Sequence, residues 1–288
     1  MRLLVFGLGY AGQALARRMM DEGWAVSGTC RSQADRAEAE ALGIEPIDAG
    51  DGPALDGAAS AAQAILVTSP PDAEGCPGLR ALAPALARTH AFPDWIGYLS
   101  STGVYGDRQG GWVNEDSPLN ALSPEGARRV AAERDWLEIG RGMGLTVCIF
   151  RCAGIYGPGR SAIDRVRAGT ARRLKLAGHV VSRVHVDDLA AALQASVRSP
   201  RAGGVYNVCD DEPASMSTVT VHAAALLRAE PPPEQPYDPE RSPSGLRRFH
   251  AEHRRISNAR IKAELGWRPA YPSYREGLAA VLAAEGGA

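Results

Sequence analysis

Short apolar runs alternate along the first half of the chain with longer stretches in which apolar residues recur at helical spacing. Leu3 to Phe6, Trp24 to Thr29, Ile44 to Ile47, Ala64 to Thr68, Trp95 to Leu99 and Leu145 to Phe150 read as strands. Gln13 to Glu22, Asp35 to Leu42 and Leu79 to Arg88 read as helices. A further helix starts at Ser123-Pro124, a residue pair suited to an N-cap and first turn, and runs through Glu125, Arg129, Glu133 and Trp136 towards Gly140. This alternation predicts an α/β fold with a doubly wound parallel sheet. Beyond Gly157-Pro158-Gly159 it loosens: a helix is expected over Ser161 to Ala171, a strand over Arg183 to Val186 and a helix over Asp187 to Val197, capped by Asp187 or Asp188. Gly204 to Val208 reads as a strand and Ile256 to Leu265 as a helix. Gln109 to Leu122 is polar and reads as a surface loop, and Pro231 to Pro243, with six of the 20 prolines, reads as another.

The first strand runs straight into Gly7-Leu8-Gly9-Tyr10-Ala11-Gly12, with the spacing G-x-G-x-x-G, and a helix follows. In that context the first glycine permits a tight turn, the second lets backbone approach a pyrophosphate, and the third lets the helix pack on the strand. Phosphates then meet the open amides at the helix start, from Tyr10 and Ala11 onwards. The end of the second strand is where such a fold reads the adenosine ribose, and Arg31, followed by Ser32, stands there instead of an acid. An arginine accommodates a 2′-phosphate, so the expected cofactor is NADP rather than NAD. Asp48, at the end of the third strand, is a candidate adenine contact or an ordinary turn residue. Thr68, Ser69 and Pro70 end the fourth strand where the middle of a dinucleotide would pass.

Composition narrows the partners. The net charge of -1 over 288 residues argues against a nucleic-acid binder and for a small-molecule substrate. Five scattered cysteines indicate neither a disulfide framework nor a zinc site, and Cys148 and Cys152 read as small buried residues. His250-x-x-His253 lacks a third ligand and is read as surface sequence, so no metal is expected. There is no charged leader and no apolar run of membrane-spanning length, so a cytoplasmic protein, monomer or homodimer, is expected. Lys175 and Lys262 are the two lysines among 32 basic residues, so no lysine precedes position 175.

Five further stretches occur in order: SSTGVYG at Ser100 to Gly106, CAGIYGPG at Cys152 to Gly159, VHVDDLAAA at Val184 to Ala192, GVYNVCDDEP at Gly204 to Pro213 and ELGWRP at Glu264 to Pro269. Together they resemble the extended short-chain dehydrogenase/reductase superfamily, and within it the NAD(P)-dependent epimerase/dehydratase family, whose members often act on nucleotide sugars. The resemblance implies a Rossmann domain over 1–158, to which 178–213 returns, and a smaller substrate lobe from 159–177 and 214–288. It implies that Ser101, with Thr102 beside it, polarises a substrate carbonyl or hydroxyl, that Ser100 and Ala153 lie by the cofactor, and that an arginine ahead of the last helix, Arg254 or Arg255, meets substrate. Tyr105 and Tyr156, phenols near strand ends, are further substrate-side candidates.

The chain departs from that family at its chemistry. The pattern Tyr-Gly-x-x-Lys-x-x-x-Glu aligns with Glu125-Gly126-Ala127-Arg128-Arg129-Val130-Ala131-Ala132-Glu133, so Glu125 replaces the acid-base tyrosine and Arg129 the lysine. Arg129 retains a positive charge near the cofactor ribose but supplies no phenol. Glu125 and Arg129 then form either a solvated i, i+4 pair or, inside a cleft, a base beside a cation. His185 and Asp187 read as a hydrogen-bonded packing pair. Two functions remain open: an NADP-dependent reductase or isomerase, and a catalytically degenerate NADP-binding or sensor protein. A weaker third, a 3-hydroxyacid-type dehydrogenase, is suggested by Leu66-Val67-Thr68-Ser69-Pro70-Pro71 and opposed by the LGWRP ending.

Overall fold

In the computed structural model the residues described are 1–176, 178–240, 247 and 251–286. Strand β1 (Arg2–Phe6), helix α1 (Tyr10–Met20), β2 (Ala25–Cys30), α2 (Gln33–Ala41), β3 (Glu45–Asp48), α3 (Gly52–Ala61), β4 (Ala64–Val67), α4 (Pro77–Thr89) and β5 (Trp95–Ser101) follow in alternation. A 3-10 turn (Thr102–Tyr105), β6 (Trp112–Val113), α5 (Pro124–Met143), β7 (Val147–Cys152) and β8 (Gly154–Tyr156) come next. The remainder holds α6 (Ala162–Arg167), β9 (Arg173–Lys175), β10 (Arg183–His185), α7 (Val186–Arg198), β11 (Val205–Val208), α8 (Met216–Leu226), β12 (Glu234–Pro236) and β13 (Arg255–Ile256). Two helices, Ala259–Leu265 and Tyr274–Gly286, complete it.

Seven strands form one parallel sheet in the order β11-β7-β5-β4-β1-β2-β3. This is the doubly wound Rossmann arrangement, with the strand order reversing between β1 and β4, where a crevice opens beyond the strand ends. Parallel strands covered on both faces are apolar along their length. Leu3, Leu4 and Val5 and all of Ala64–Val67 are accordingly buried. One apolar layer packs α1 and α7 on the sheet through Leu15, Met19, Leu189 and Leu193. The other packs α3, α4 and α5 through Leu55, Leu82 and Trp136. A separate apolar cluster, including Ile163, Val219, Tyr274, Leu278 and Val281, joins α6, α8 and the helix Tyr274–Gly286.

Several expectations shift. Helix α3 is not predicted by the sequence pattern: GPALDGAASA has two glycines and little periodicity, yet Asp51 caps it by accepting the Ala54 N–H at 3.1 Å. Helix α8 and the helix Tyr274–Gly286 also went unread. Helix α7 is capped by His185, whose Nδ1 accepts the Asp187 N–H at 3.3 Å, and not by either aspartate. Asp188 instead accepts the N–H groups of Ala270 and Tyr271 at 2.6 and 3.0 Å, fastening the loop before the last helix. The expected surface loop Gln109 to Leu122 contains β6, which pairs in parallel with β13, and the proline-rich segment contributes β12, paired with β9. The helix expected from Ile256 begins at Ala259, because Arg255 and Ile256 form β13. All five cysteines are free and buried. Among the described residues no helix is long and apolar enough to cross a membrane.

One buried polar network joins the sheet to α5. Arg151 on β7 donates to Glu133 on α5, Nη2 to Oε2 at 2.8 Å and Nε to both carboxylate oxygens, with both side chains buried. Its Nη1 reaches the Tyr105 hydroxyl at 3.0 Å and the Glu115 carbonyl at 3.1 Å. Tyr105 donates to Asn207 Oδ1 at 2.7 Å, and the Asn207 N–H donates to Glu115 Oε1 at 2.8 Å. Removing one partner of a buried ion pair leaves an uncompensated charge. Glu133→Ala is therefore expected to cost about 3–5 kcal/mol, measured as a lowered urea midpoint with an unchanged slope.

Candidate functional site

The glycine loop has the shape that a dinucleotide requires. Gly7 adopts φ +92°, a region that strains other residues, and its N–H donates to Thr29 Oγ1 at 2.7 Å. A Cβ on Gly12 would fall 2.8 Å from Val5 Cγ1, so the third glycine is set by helix-on-strand packing. A Cβ on Gly9 would meet nothing within 4 Å. Gly9 is also the N-cap of α1 and provides no side-chain cap, so the first-turn N–H groups face an open space. A helix start left open in this way fits a pyrophosphate. Tyr10 turns its ring aside, its hydroxyl donating to the Pro158 carbonyl at 3.1 Å while Arg160 lies 5.8 Å from the ring centroid. Burial, seconded by Asp187, pushes this phenol up to about 12.

The other cofactor-side candidates gather at the same sheet edge. Thr68 hydrogen-bonds through Oγ1 to the Gly7 carbonyl, bracing the loop, with Ser69 and Pro70 next in the chain. Arg31 is exposed just past β2, and Asp35 Oδ2 accepts its N–H at 3.2 Å. The Ser32 hydroxyl accepts the Asp35 N–H at 3.1 Å as the N-cap of α2, a structural task not foreseen for it. Asp48 is exposed and accepts the Gly50 N–H at 2.8 Å, the turn alternative.

At the ends of β5 and β7 strand alternation separates neighbours. Ser100 points into the protein and donates to Glu133 Oε1, which corrects its assignment to the cofactor side. Ser101 and Thr102 face a cavity of about 230 Å³, together with Cys152, Ala153, Ser182, Glu252 and Arg254. Ser101 Oγ accepts the Gly103 N–H at 3.1 Å, which fixes its rotamer at the mouth of the 3-10 turn. The Cys152 thiol is pushed up to about 12 by burial and so is inert as a base. Arg129 reaches back from α5 to the Leu99 carbonyl at 2.8 Å. Glu125 is exposed on the first turn of α5 and does not line this cavity.

Three substrate-side assignments change. Tyr105 is fully buried in the Arg151 network, and Tyr156 is buried against the His185 ring, with its hydroxyl 3.5 Å from the Ser273 carbonyl. Both are thereby drawn into packing and away from the cavity. Of the two arginines, Arg254 lines the cavity, whereas Arg255 bonds to the Gly110 carbonyl beside β6. Glu252 and Ser182 were missed: each is a single polar residue outside any recognisable spacing, and only the fold brings them to Ser101. His253 Nε2 accepts the Val180 N–H at 3.2 Å, and His250 lies outside the described residues.

Next to this cavity lies a larger one of about 600 Å³, lined among others by Arg165, Arg172, Lys175, Leu174, Met216 and Glu234. His179 lines the larger cavity and Val180 and Val181 the smaller, so the two share a wall. Asp210, 2% exposed, lies near the buried Arg183, its N–H donating to the Arg183 carbonyl at 2.6 Å. Burial raises its carboxyl to about 8 in spite of Arg183.

Fold and glycine loop define a Rossmann-type dinucleotide protein, and comparison with known proteins narrows the class. The model of the NAD dependent epimerase/dehydratase family matches residues 78–209. Protein YeeZ of Escherichia coli K12 is 34% identical over 245 residues, covering 80% of this chain and 85% of its own. A functionally unknown conserved protein from Silicibacter pomeroyi superposes with TM-score 0.91 at 41% identity, over 98% of each chain. UDP-glucose 4-epimerase of Thermus thermophilus, solved in complex with NAD, shares the fold with TM-score 0.78 at 21% identity over the full length of both chains. The chain belongs to the NAD-dependent epimerase/dehydratase family.

The raised carboxyl of Asp210 has a pH consequence. The native state holds its proton up to about pH 8, whereas an unfolded aspartate loses it near 3.8. Between these values the unfolded state binds fewer protons, so this group's contribution to stability falls as pH rises. Asp210→Asn should therefore raise the melting temperature more at pH 8 than at pH 5. An equal shift at both values would show that the carboxyl is already ionised in the native protein.

Proposed function

We propose that the protein binds NADP and acts as an oxidoreductase or isomerase on a nucleotide sugar or another small carbonyl or hydroxyl substrate. The observation that carries the reading is the open space over Gly9, at the same end of the sheet as the cavity bearing Ser101 and Thr102. In this reading the pyrophosphate rests on the amides after Gly9, Thr68 to Pro70 flank the dinucleotide, and Ala153 lies under the nicotinamide. Bound NADP supplies a hydride acceptor or donor. Ser101 and Thr102 orient the substrate oxygen, and Arg129 maintains positive charge beside the ribose. Residues 1–158 and 178–213 form the cofactor domain, and 159–177 with 214–288 the substrate lobe.

Arg31 supports the choice of NADP, since its exposed guanidinium follows β2 where a 2′-phosphate would lie. A charge-assisted contact of this kind is worth about 1.5–3 kcal/mol. Arg31→Ala is thus expected to weaken NADPH binding by about tenfold or more and to leave NADH binding unchanged in fluorescence titration. Equal losses for both cofactors, or for neither, would refute NADP selectivity.

The exposed position of Glu125 favours a second reading, in which the dinucleotide is kept as a ligand and turnover is lost. The two are separated by NADPH oxidation across a panel of sugar-nucleotide, aliphatic and aryl carbonyls. For an enzyme, Ser101→Ala lowers kcat by about a hundredfold, the usual cost of a lost polarising donor, at unchanged NADPH affinity. A wild-type protein that binds the cofactor, oxidises no NADPH with any of these compounds and, with NADP bound, interconverts no epimers of the sugar nucleotides fits the ligand-only reading.

A further inference from the structure

The cavity at Ser101 contains one arginine, and that arginine is already neutralised. Arg254 Nη1 donates to Glu252 Oε2 at 2.5 Å and to the Gly106 carbonyl at 2.8 Å. Their side chains are 14% and 12% exposed, so the pair is largely withdrawn from water. The other described residues lining the cavity are Ser101, Thr102, Cys152, Ala153, Gly154, Val180, Val181, Ser182 and Ile256, none of them charged. Arg129, on α5, is turned to the Leu99 carbonyl and does not line the cavity. The neighbouring cavity is different: Arg165, Arg172 and Lys175 face one carboxylate, Glu234.

We propose that Glu252 determines substrate charge, by cancelling Arg254 so that the Ser101 cavity admits an uncharged hydroxyl or carbonyl group and excludes phosphate or carboxylate. This inference rests on the reading of the Ser101 cavity as the substrate site and narrows its substrate class. An arginine kept for an anion leaves its donor fork open to it. Here a carboxylate of the chain itself already holds Nη1 and cancels its charge, and an incoming anion would have to displace Glu252 or lie beside it. Any anionic portion of the substrate falls to the Arg165, Arg172 and Lys175 cavity, beyond the shared wall.

The inference is tested without turnover, with inorganic pyrophosphate as the probe, titrated calorimetrically into protein saturated with NADP so that the glycine loop is filled. A site is assigned to the Ser101 cavity only if Arg254→Ala removes it. The wild type is expected to show no such site. Glu252→Gln, which keeps the size and a polar contact, frees the guanidinium and is expected to acquire one, at least about tenfold tighter than any Arg254-dependent binding in the wild type. Glu252→Gln/Arg254→Ala should lose it again. If Glu252→Gln is poorly folded by its melting curve, Glu252→Ala replaces it in the same series. An Arg254-dependent site already present in the wild type, or no gain on removing Glu252, overturns the inference. Failure of NADP to bind refutes the cofactor reading by itself, since the same titrations without NADP still compare the wild type and the Glu252 variant through their dependence on Arg254.

Discussion

The Arg151–Glu133 ion pair sets the geometry on which the cavity depends. It spans from β7 to α5, takes up the Ser100 hydroxyl, and through Tyr105 and Glu115 reaches Asn207 on β11. With Ser100 held inward, strand alternation sends Ser101 the other way, to the cavity. A fully satisfied buried network of this kind favours one arrangement over others, because each donor that slips leaves a buried group without a partner. The same residues explain why the family-like phenol at Tyr105 is unavailable to a substrate: its hydroxyl is used on both sides, by Arg151 and Asn207.

Much of the fold was legible because buried parallel strands and a glycine turn leave strong local traces. Leu3 to Phe6, Gly7 to Gly12 and Ser123-Pro124 each carry their structure within a few residues. What was not legible depended on partners distant in the chain. Strands β6 and β13 are two residues each and pair only because the fold brings Trp112 to Arg255. His185 displaced the aspartates as the cap of α7, since Asp188 was needed for the backbone of Ala270 and Tyr271. Helix α3 lacked the apolar periodicity that identified its neighbours.

The candidate site shows the same division. The glycine loop is a local feature, legible from Gly7, Gly9 and Gly12, whereas the cavity beside it is assembled from four separate segments. Resemblance pointed to an arginine ahead of the last helices but left open which of two adjacent residues it was. The β6–β13 pairing decides this: Arg255 is drawn to Gly110, and Arg254 is left facing Gly106 and Glu252. The absence of a phenol on α5, visible in the sequence, is not offset by another tyrosine at the cavity, since Tyr105 and Tyr156 are both buried in packing. Whatever proton transfer occurs there must use hydroxyls, a carboxylate or water.

The clasp of Arg254 on Gly106 also joins segments that are made at different times. The two residues are 148 positions apart, while the glycine loop and the β4 end that braces it both lie within the first 70 residues. During synthesis, therefore, the glycine loop and its Thr68 brace emerge before the wall carrying Glu252 and Arg254.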